Sequence, residues 1–323
     1  MTKRSLTHIF LLLLALQGLI SAGCRPKSGP GEEAPFAGKP YAIIYENRIT
    51  TDVIGQKLSD PIGLASDDAG NLYVVDAGNN RLVKFDRELK PMRETGGYGI
   101  SETLFNSPNY ISIDNNLNLY VADAGNRRIS IYDTRLNYVN MIDFFDADDP
   151  ARFGRPGGLA INEYGELWIS DPDNSRVAVF DSNTEFDRFV GDVRTYSGLL
   201  LTPGAVARGL KGRILVSDEG KGRVYAFDSF GIYLFDFGYD VFKRPAGLKV
   251  DKYGNIWVVD SKLSSVFCFD RDGILLYSVG EYGTSGEYEL NQPGDVALLP
   301  GDRIAVSDTG NDRIMIYKII YPE

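Results

Sequence analysis

The sequence predicts an all-β fold, a six-bladed β-propeller of four-stranded antiparallel blades whose ring is closed by an N-terminal strand. Three observations predict it. Six segments superimpose without a gap, each with a Pro and an Asp fifteen residues apart: Pro61/Asp76, Pro108/Asp123, Pro156/Asp171, Pro203/Asp218, Pro245/Asp260 and Pro293/Asp308. Five residues past the Asp stands Arg81, Arg128, Arg176, Arg223 or Arg313, with Ser265 the exception; nine past it stands Phe85, Tyr132, Phe180, Phe227, Phe269 or Tyr317. The copies follow one another at 47, 48, 47, 42 and 48 residues, a length that holds four short strands.

Each copy reads strand, turn, strand, turn, strand. Gly70, Gly165, Gly212 and Gly254 mark the first hairpin turn, where a positive φ costs glycine little. The second strand (Leu-Tyr-Val-Val, Leu-Trp-Ile-Ser) is aromatic and β-branched, and the third is Arg-Leu-Val-Lys-Phe-Asp or its equivalent. A looser fourth strand follows, as at Tyr138 to Phe144 or Ile232 to Phe237. Strands buried on both faces lose clean alternation, as expected where each blade is covered by its neighbours. The last copy leaves only Lys318 to Glu323 for an outer strand, whereas Tyr41 to Glu46 is a strand without a repeat of its own. That segment is expected to complete the sixth blade and remove an exposed edge.

The segments Asp-Ala-Gly-Asn-Asn-Arg (76–81), Asp-Ala-Gly-Asn-Arg-Arg (123–128) and Asp-Thr-Gly-Asn-Asp-Arg (308–313) resemble the D-x-G-N-x-R core of NHL repeats. The resemblance runs over about residues 60 to 318. Copies three and four are looser, and copy five, Asp260 to Ser265, has lost both Gly-Asn and Arg.

Before the repeats lies a targeting segment. A basic start (Lys3, Arg4), the apolar run Ile9 to Leu16 and small residues before Cys24 form a secretory leader over 1–23. Leu19-Ile-Ser-Ala-Gly-Cys24 resembles a lipobox, with Cys24 as the lipid-attachment residue and Ser21 where Leu is commoner. Residues 24–40, rich in Pro, Gly and charge, read as a tether, leaving 41–323 for the propeller. The expected address is the cell envelope, lipid-anchored. Arg25 is not the Asp that retains lipoproteins at an inner membrane, which favours an outer membrane where the host has one. Losing Lys3 and Arg4 with the leader takes the net charge from −10 to −12, and such a surface has no footprint for nucleic acid.

The six repeated aspartates, with the arginines that follow them, are expected to hold turns together and not to ring a metal. Function must come from what the blades do not share. The single histidine, His8, lies in the leader. The NHL resemblance implies amidating lyases, and similarly streptogramin lyases and paraoxonases, all of which need catalytic histidines. Cys268 alone cannot build a thiolate zinc site, so no catalytic residue and no cofactor is assigned. An oxygen-ligated Ca²⁺ in the channel, as in regucalcin-type and gluconolactonase-type propellers, is the alternative. At the first-strand starts only Asn109, Tyr110 and Asp295 carry polar side chains, and the Gly and Ala around them suggest an open, water-filled funnel. Tyr98, Tyr196, Tyr239 and Tyr282 recur, with Phe105 and Phe153, in the loops from one blade to the next. They either cover the gaps between blades or meet a partner. The resulting expectation is a non-enzymatic, membrane-anchored binding or scaffolding protein that presents these loops to an envelope protein or glycan. The alternative is an exported lactonase, lyase or hydrolase using an oxygen-ligated divalent cation.

Overall fold

Pairing of the strands gives six antiparallel four-stranded sheets, one per repeat, in a computed structural model that describes residues 38–115, 117–144, 152–193 and 197–322. The expected leader, Cys24, most of the expected tether and Tyr196 lie outside the described residues. Blade 1 is built from Pro61–Ser66, Leu72–Asp76, Arg81–Phe85 and Pro91–Gly96, and blades 2 to 5 repeat that order from the channel outward. Outer strands run one residue shorter than the sequence suggests: Tyr138–Asp143 stops before Phe144, and Tyr233–Phe237 starts after Ile232, whose N–H closes the preceding turn on Asp228.

The ring closes as expected. Val296–Leu299, Arg303–Asp308 and Arg313–Ile320 form the first three strands of blade 6, and Ala42–Ile49 adds the fourth. Ala42 pairs with Ile320 and Ile49 with Ile314, with an irregularity between Tyr45 and Asn47. Its two buried isoleucines enter different cores. Ile43 packs among Met315, Tyr317 and Val266 between blades 5 and 6, and Ile49 among Ile314, Leu58 and Leu64 between blades 6 and 1.

The turn after the second strand is the most regular feature. In four blades a single 3₁₀ turn follows the Asp (Ala77–Asn79, Ala124–Asn126, Pro172–Asn174, Thr309–Asn311). The residue four past the Asp takes a left-handed conformation in all six: Asn80, Arg127, Ser175, Gly222, Ser264 and Asp312. Copy five, which has lost the motif, thus keeps its backbone.

A register that the reading above passed over seals the blades. Three residues before each leading Pro stands Leu58, Phe105, Phe153, Leu200, Phe242 or Leu290, and all six are buried. Serines before the Asp add a polar strap. Ser170, Ser217 and Ser307 donate to the carbonyls of Gly204, Ala246 and Ile62 on the next blade, at 2.7, 2.8 and 2.7 Å.

Candidate functional site

The repeated aspartates are wholly buried and spoken for. Each accepts the backbone N–H two residues before its own leading Pro: Ser59 to Asp76, Asn106 to Asp123, Gly154 to Asp171, Leu201 to Asp218, Lys243 to Asp260 and Asn291 to Asp308. The Nε groups of Arg81, Arg128, Arg176 and Arg313 donate to the second carboxylate oxygen. Arg223 departs from the expected pattern. It pairs with Asp236 at 2.6 Å, while Asp218 takes the N–H of Lys221 instead. Burial pushes the Asp123 and Asp171 carboxyls above their usual range despite these donors. Among the described residues no three His, Cys, Asp or Glu side chains converge as a metal site would require.

Loops from outer strand to next inner strand, and the turns just described, face one end of the ring. There a cavity of about 620 Å³ opens, lined by Asn109, Tyr110, Glu219, Arg244, Lys262, Tyr282 and Gln292 among others. Arg244 Nε donates to Glu219 Oε2 at 2.7 Å. Burial, with Glu219 and Asp295 adding to it, pushes the Tyr110 hydroxyl well above its usual range, so it stands as a neutral donor. Asn109 Nδ2 donates to the Pro156 carbonyl at 3.2 Å, leaving Oδ1 sealed from solvent with no partner.

The structure corrects two readings of this region. Asp295 is not a mouth residue: it is fully buried, accepting the N–H of Leu64 at 3.0 Å and of Val296 at 2.8 Å, with Lys249 Nζ at 3.5 Å. Burial raises its carboxyl although Lys249 and the backbone donors oppose that. Nor do Gly63, Gly158 and Gly247 line an open funnel, although Gly294 and Ala246 do line the cavity. A Cβ on Gly63 would lie 2.8 Å from the Asn109 carbonyl, and one on Gly158 would lie 2.5 Å from Ala205 Cα. One on Gly247 would meet the Asp295 backbone. At these three positions glycine lets neighbouring inner strands touch backbone to backbone.

The expected loop tyrosines separate. Tyr282 joins Asn109 and Tyr110 at the cavity, whereas Tyr98 and Tyr239 stay outside its lining. Tyr98 is 75 % exposed, and the Arg223 guanidinium lies 4.4 Å from the centre of the Tyr239 ring. None of the three covers a gap between blades; Phe105, Phe153 and their register partners do that. Glu219, Arg244 and Lys262 were missed. The signal for one of them is departure from the repeat. Glu219 directly follows a motif Asp where the other copies have Ala, Pro, Ser or Thr, whereas Arg244 holds the place before a Pro that Arg155 also holds.

With this geometry in hand, the comparisons with known proteins fall into place. The family model of the NHL repeat matches residues 58–85, the first three strands of blade 1 with the segment leading into them. The chain is a six-bladed β-propeller whose first blade matches the NHL repeat. No curated protein matches the sequence. Among solved structures, this propeller is similar to a protein of unknown function from Bacteroides thetaiotaomicron, at 14 % identity and a TM-score of 0.65 over 85 % of this chain and 73 % of that one. It is also similar to a gluconolactonase from Xanthomonas campestris, at 16 % identity and a TM-score of 0.62 over 88 % and 99 %. A third likeness is to virginiamycin B lyase from Staphylococcus aureus in complex with quinupristin, at 12 % identity and a TM-score of 0.60 over 85 % and 88 %. At such identities the likeness establishes the fold alone, and fold does not carry activity.

Proposed function

We propose that this propeller is a non-enzymatic, lipid-anchored binding protein of the bacterial cell envelope that engages an envelope protein or glycan with the mouth of its channel. The observation that carries the reading is the state of the carboxylates there. Glu219 is tied to Arg244, and Asp295 is sunk beneath the mouth on Lys249 and two backbone N–H groups. What lines the 620 Å³ cavity is a recognition set: Tyr110, Tyr282, Gln292, the Arg244–Glu219 pair and Lys262. The sequence adds that no histidine follows His8, whereas the catalytically inactive form of the staphylococcal lyase is a histidine-to-alanine variant.

One observation favours the second reading, an exported enzyme using an oxygen-ligated divalent cation. The unpartnered Asn109 Oδ1 is a neutral oxygen of the kind Ca²⁺ accepts. The donors present fit such an ion poorly, since both nearby carboxylates already have cationic partners.

Two measurements separate the readings. The purified chain is assayed against a panel of lactones with and without added Ca²⁺, Mg²⁺ or Mn²⁺, and hydrolysis above the blank in any arm sinks the binding reading. In parallel, envelope extracts are passed over wild type, Tyr282→Ala and Arg244→Ala. The binding reading expects one defined partner retained by wild type and lost by both variants.

A further inference from the structure

The axis of the ring holds a second cavity. The fourth and fifth residues past each leading Pro, from all six blades, line a space of about 240 Å³ at the end opposite the mouth, together with Asn115 and Val206. It shares no lining residue with the mouth. Tyr110 stands between the two, since this side chain of blade 2 packs against the core between blades 2 and 3 and also against that between blades 4 and 5. Asp295 of blade 6 adds to the barrier, joined to the backbone of Leu64 in blade 1 and to Lys249 in blade 5.

Where the other blades place Ala, Ser, Val, Ile or Leu in this lining, two neighbouring blades place a cation, Arg208 in blade 4 and Lys249 in blade 5. No Asp or Glu lines the cavity. Lys249 Nζ lies 3.5 Å from Asp295, so at most one of its three N–H donors is engaged there, and loosely. The exposed Arg208 guanidinium makes no hydrogen bond or ion pair among the described residues, and the Ser112 hydroxyl and Asn115 amide are likewise without a partner. The carboxylates that begin the adjoining turns are engaged by donors of those turns and of the second strands. Asp67 accepts from Asn71 and Tyr73, Asp114 from Asn118 and Tyr120, and Asp251 from Asn255 and Trp257. The acidic turn tips Asp68 and Glu163 lie outside the lining and pair with neither Arg208 nor Lys249.

We propose that this end of the channel binds a small oxyanion, a carboxylate or phosphate group, between Arg208 and Lys249, with Ser112 and Asn115 as neutral donors. Asp295 offsets one of the two cations, so one positive charge is left over, and a single oxyanion balances it. A guanidinium presents paired N–H groups to two oxygens of such a group, and an ammonium adds a point charge. Aliphatic walls raise the strength of that attraction over its value in open water. The volume is below the range of about 300–1,000 Å³ usual for larger ligands, so the anion is small. The site lies at the other end of the ring from the mouth and does not depend on what binds there.

The test is isothermal titration of the purified chain with inorganic phosphate, acetate and succinate, each in a chloride background. The expected result is saturable binding of phosphate or of a carboxylate, one per chain, and the phosphate and carboxylate arms tell which oxyanion is preferred. Arg208→Gln is expected to weaken it about tenfold or more, the loss of one charge-assisted contact, and Arg208→Lys to restore part of it. Lys249→Met alone would strand Asp295, so it is combined with Asp295→Asn, and this pair is expected to weaken binding as well. Lys90→Gln, an exposed cation of an outer turn at the same end of the ring, leaves binding unchanged. Melting curves confirm that each variant is folded, and the exposed Arg208 position decides the matter if the double variant is not. Absence of saturable binding for all three anions overturns the proposal. So does binding that Arg208→Gln leaves intact or that Lys90→Gln weakens equally. Binding lost in Arg244→Gln instead places the anion at the mouth and overturns it too.

Discussion

Replacing Ile43 and Ile49 by Ala tests the closure of the ring. The strand Ala42–Ile49 is held by a seven-pair register with Arg313–Ile320 and by two side chains, Ile43 and Ile49, each nearly inaccessible. Burying an isoleucine contributes through lost water contact and through packing that a truncated side chain leaves empty, so Ile→Ala at a buried site costs roughly 2–5 kcal/mol. The two sites lie in different cores, one between blades 5 and 6 and one between blades 6 and 1. Costs at separate sites add, so the double variant should lose roughly 4–10 kcal/mol. That is comparable with the total stability of an ordinary domain, about 5–15 kcal/mol. A further tie, Asp52 to Arg81 Nη1 at 2.5 Å, sits just beyond the strand and is untouched by the change. Urea unfolding and thermal melting of wild type, each single variant and the double variant are the assay. Loss in the double variant near the sum of the singles, with melting lowered by 10 °C or more on a scale of about 2–4 °C per kcal/mol, is expected. A double variant that unfolds within about 2 kcal/mol of wild type would refute the clasp as a source of stability.

Arg313→Ala strands the buried Asp308 carboxylate and should cost about 3–5 kcal/mol, whereas Arg223→Ala breaks a half-exposed pair and should cost about 1 kcal/mol or less; equal losses in urea unfolding contradict the different pairing of these arginines. Gly247→Ala forces a methyl into the Asp295 backbone and should destabilise by about 1–3 kcal/mol or more, while Gly204→Ala, whose nearest neighbour is the Ser217 hydroxyl at 3.0 Å, should be milder; the ranking of their melting temperatures decides. Burial raises the Asp295 pKa above its unfolded value, so the folded state holds that proton more tightly. Its contribution is therefore fully present below the unfolded pKa and is lost as pH rises through the raised one. The stability of Asp295→Asn relative to wild type should accordingly shift in the variant's favour as pH rises from about 4 toward neutrality. A difference that is flat with pH in chemical denaturation argues that Asp295 titrates normally.

The legible part of this protein is the part that repeats. A residue required in every blade stands at a fixed offset in every copy, so Pro61 to Asp76 and its five equivalents expose blade number, strand order and the outward run of each sheet. The buried residue three places before each Pro was as legible in principle. It hides because Leu58, Leu200 and Leu290 share its place with three phenylalanines, and an aromatic-only search sees half the register.

The mouth was legible only in part. Asn109, Tyr110 and Tyr282 were singled out and do line one cavity, but Tyr98 and Tyr239 stand outside its lining and Asp295 is buried beneath it. Position along a strand says which end of the ring a residue is near. It does not say which way the residue points when the neighbouring strand comes within touching distance.

The sequence by itself determined six blades, four strands each, and an N-terminal strand to close them, because those follow from local spacing and from counting strands. Only the tertiary structure decided that Gly63, Gly158 and Gly247 bring blades together, that Asp295 belongs to Leu64 and Lys249, and that Glu219 and Arg244 meet at the mouth. Each of these is a contact between blades, tens of residues or more apart along the chain. It is set by how closely the inner strands pack around the axis, a quantity that no single repeat contains.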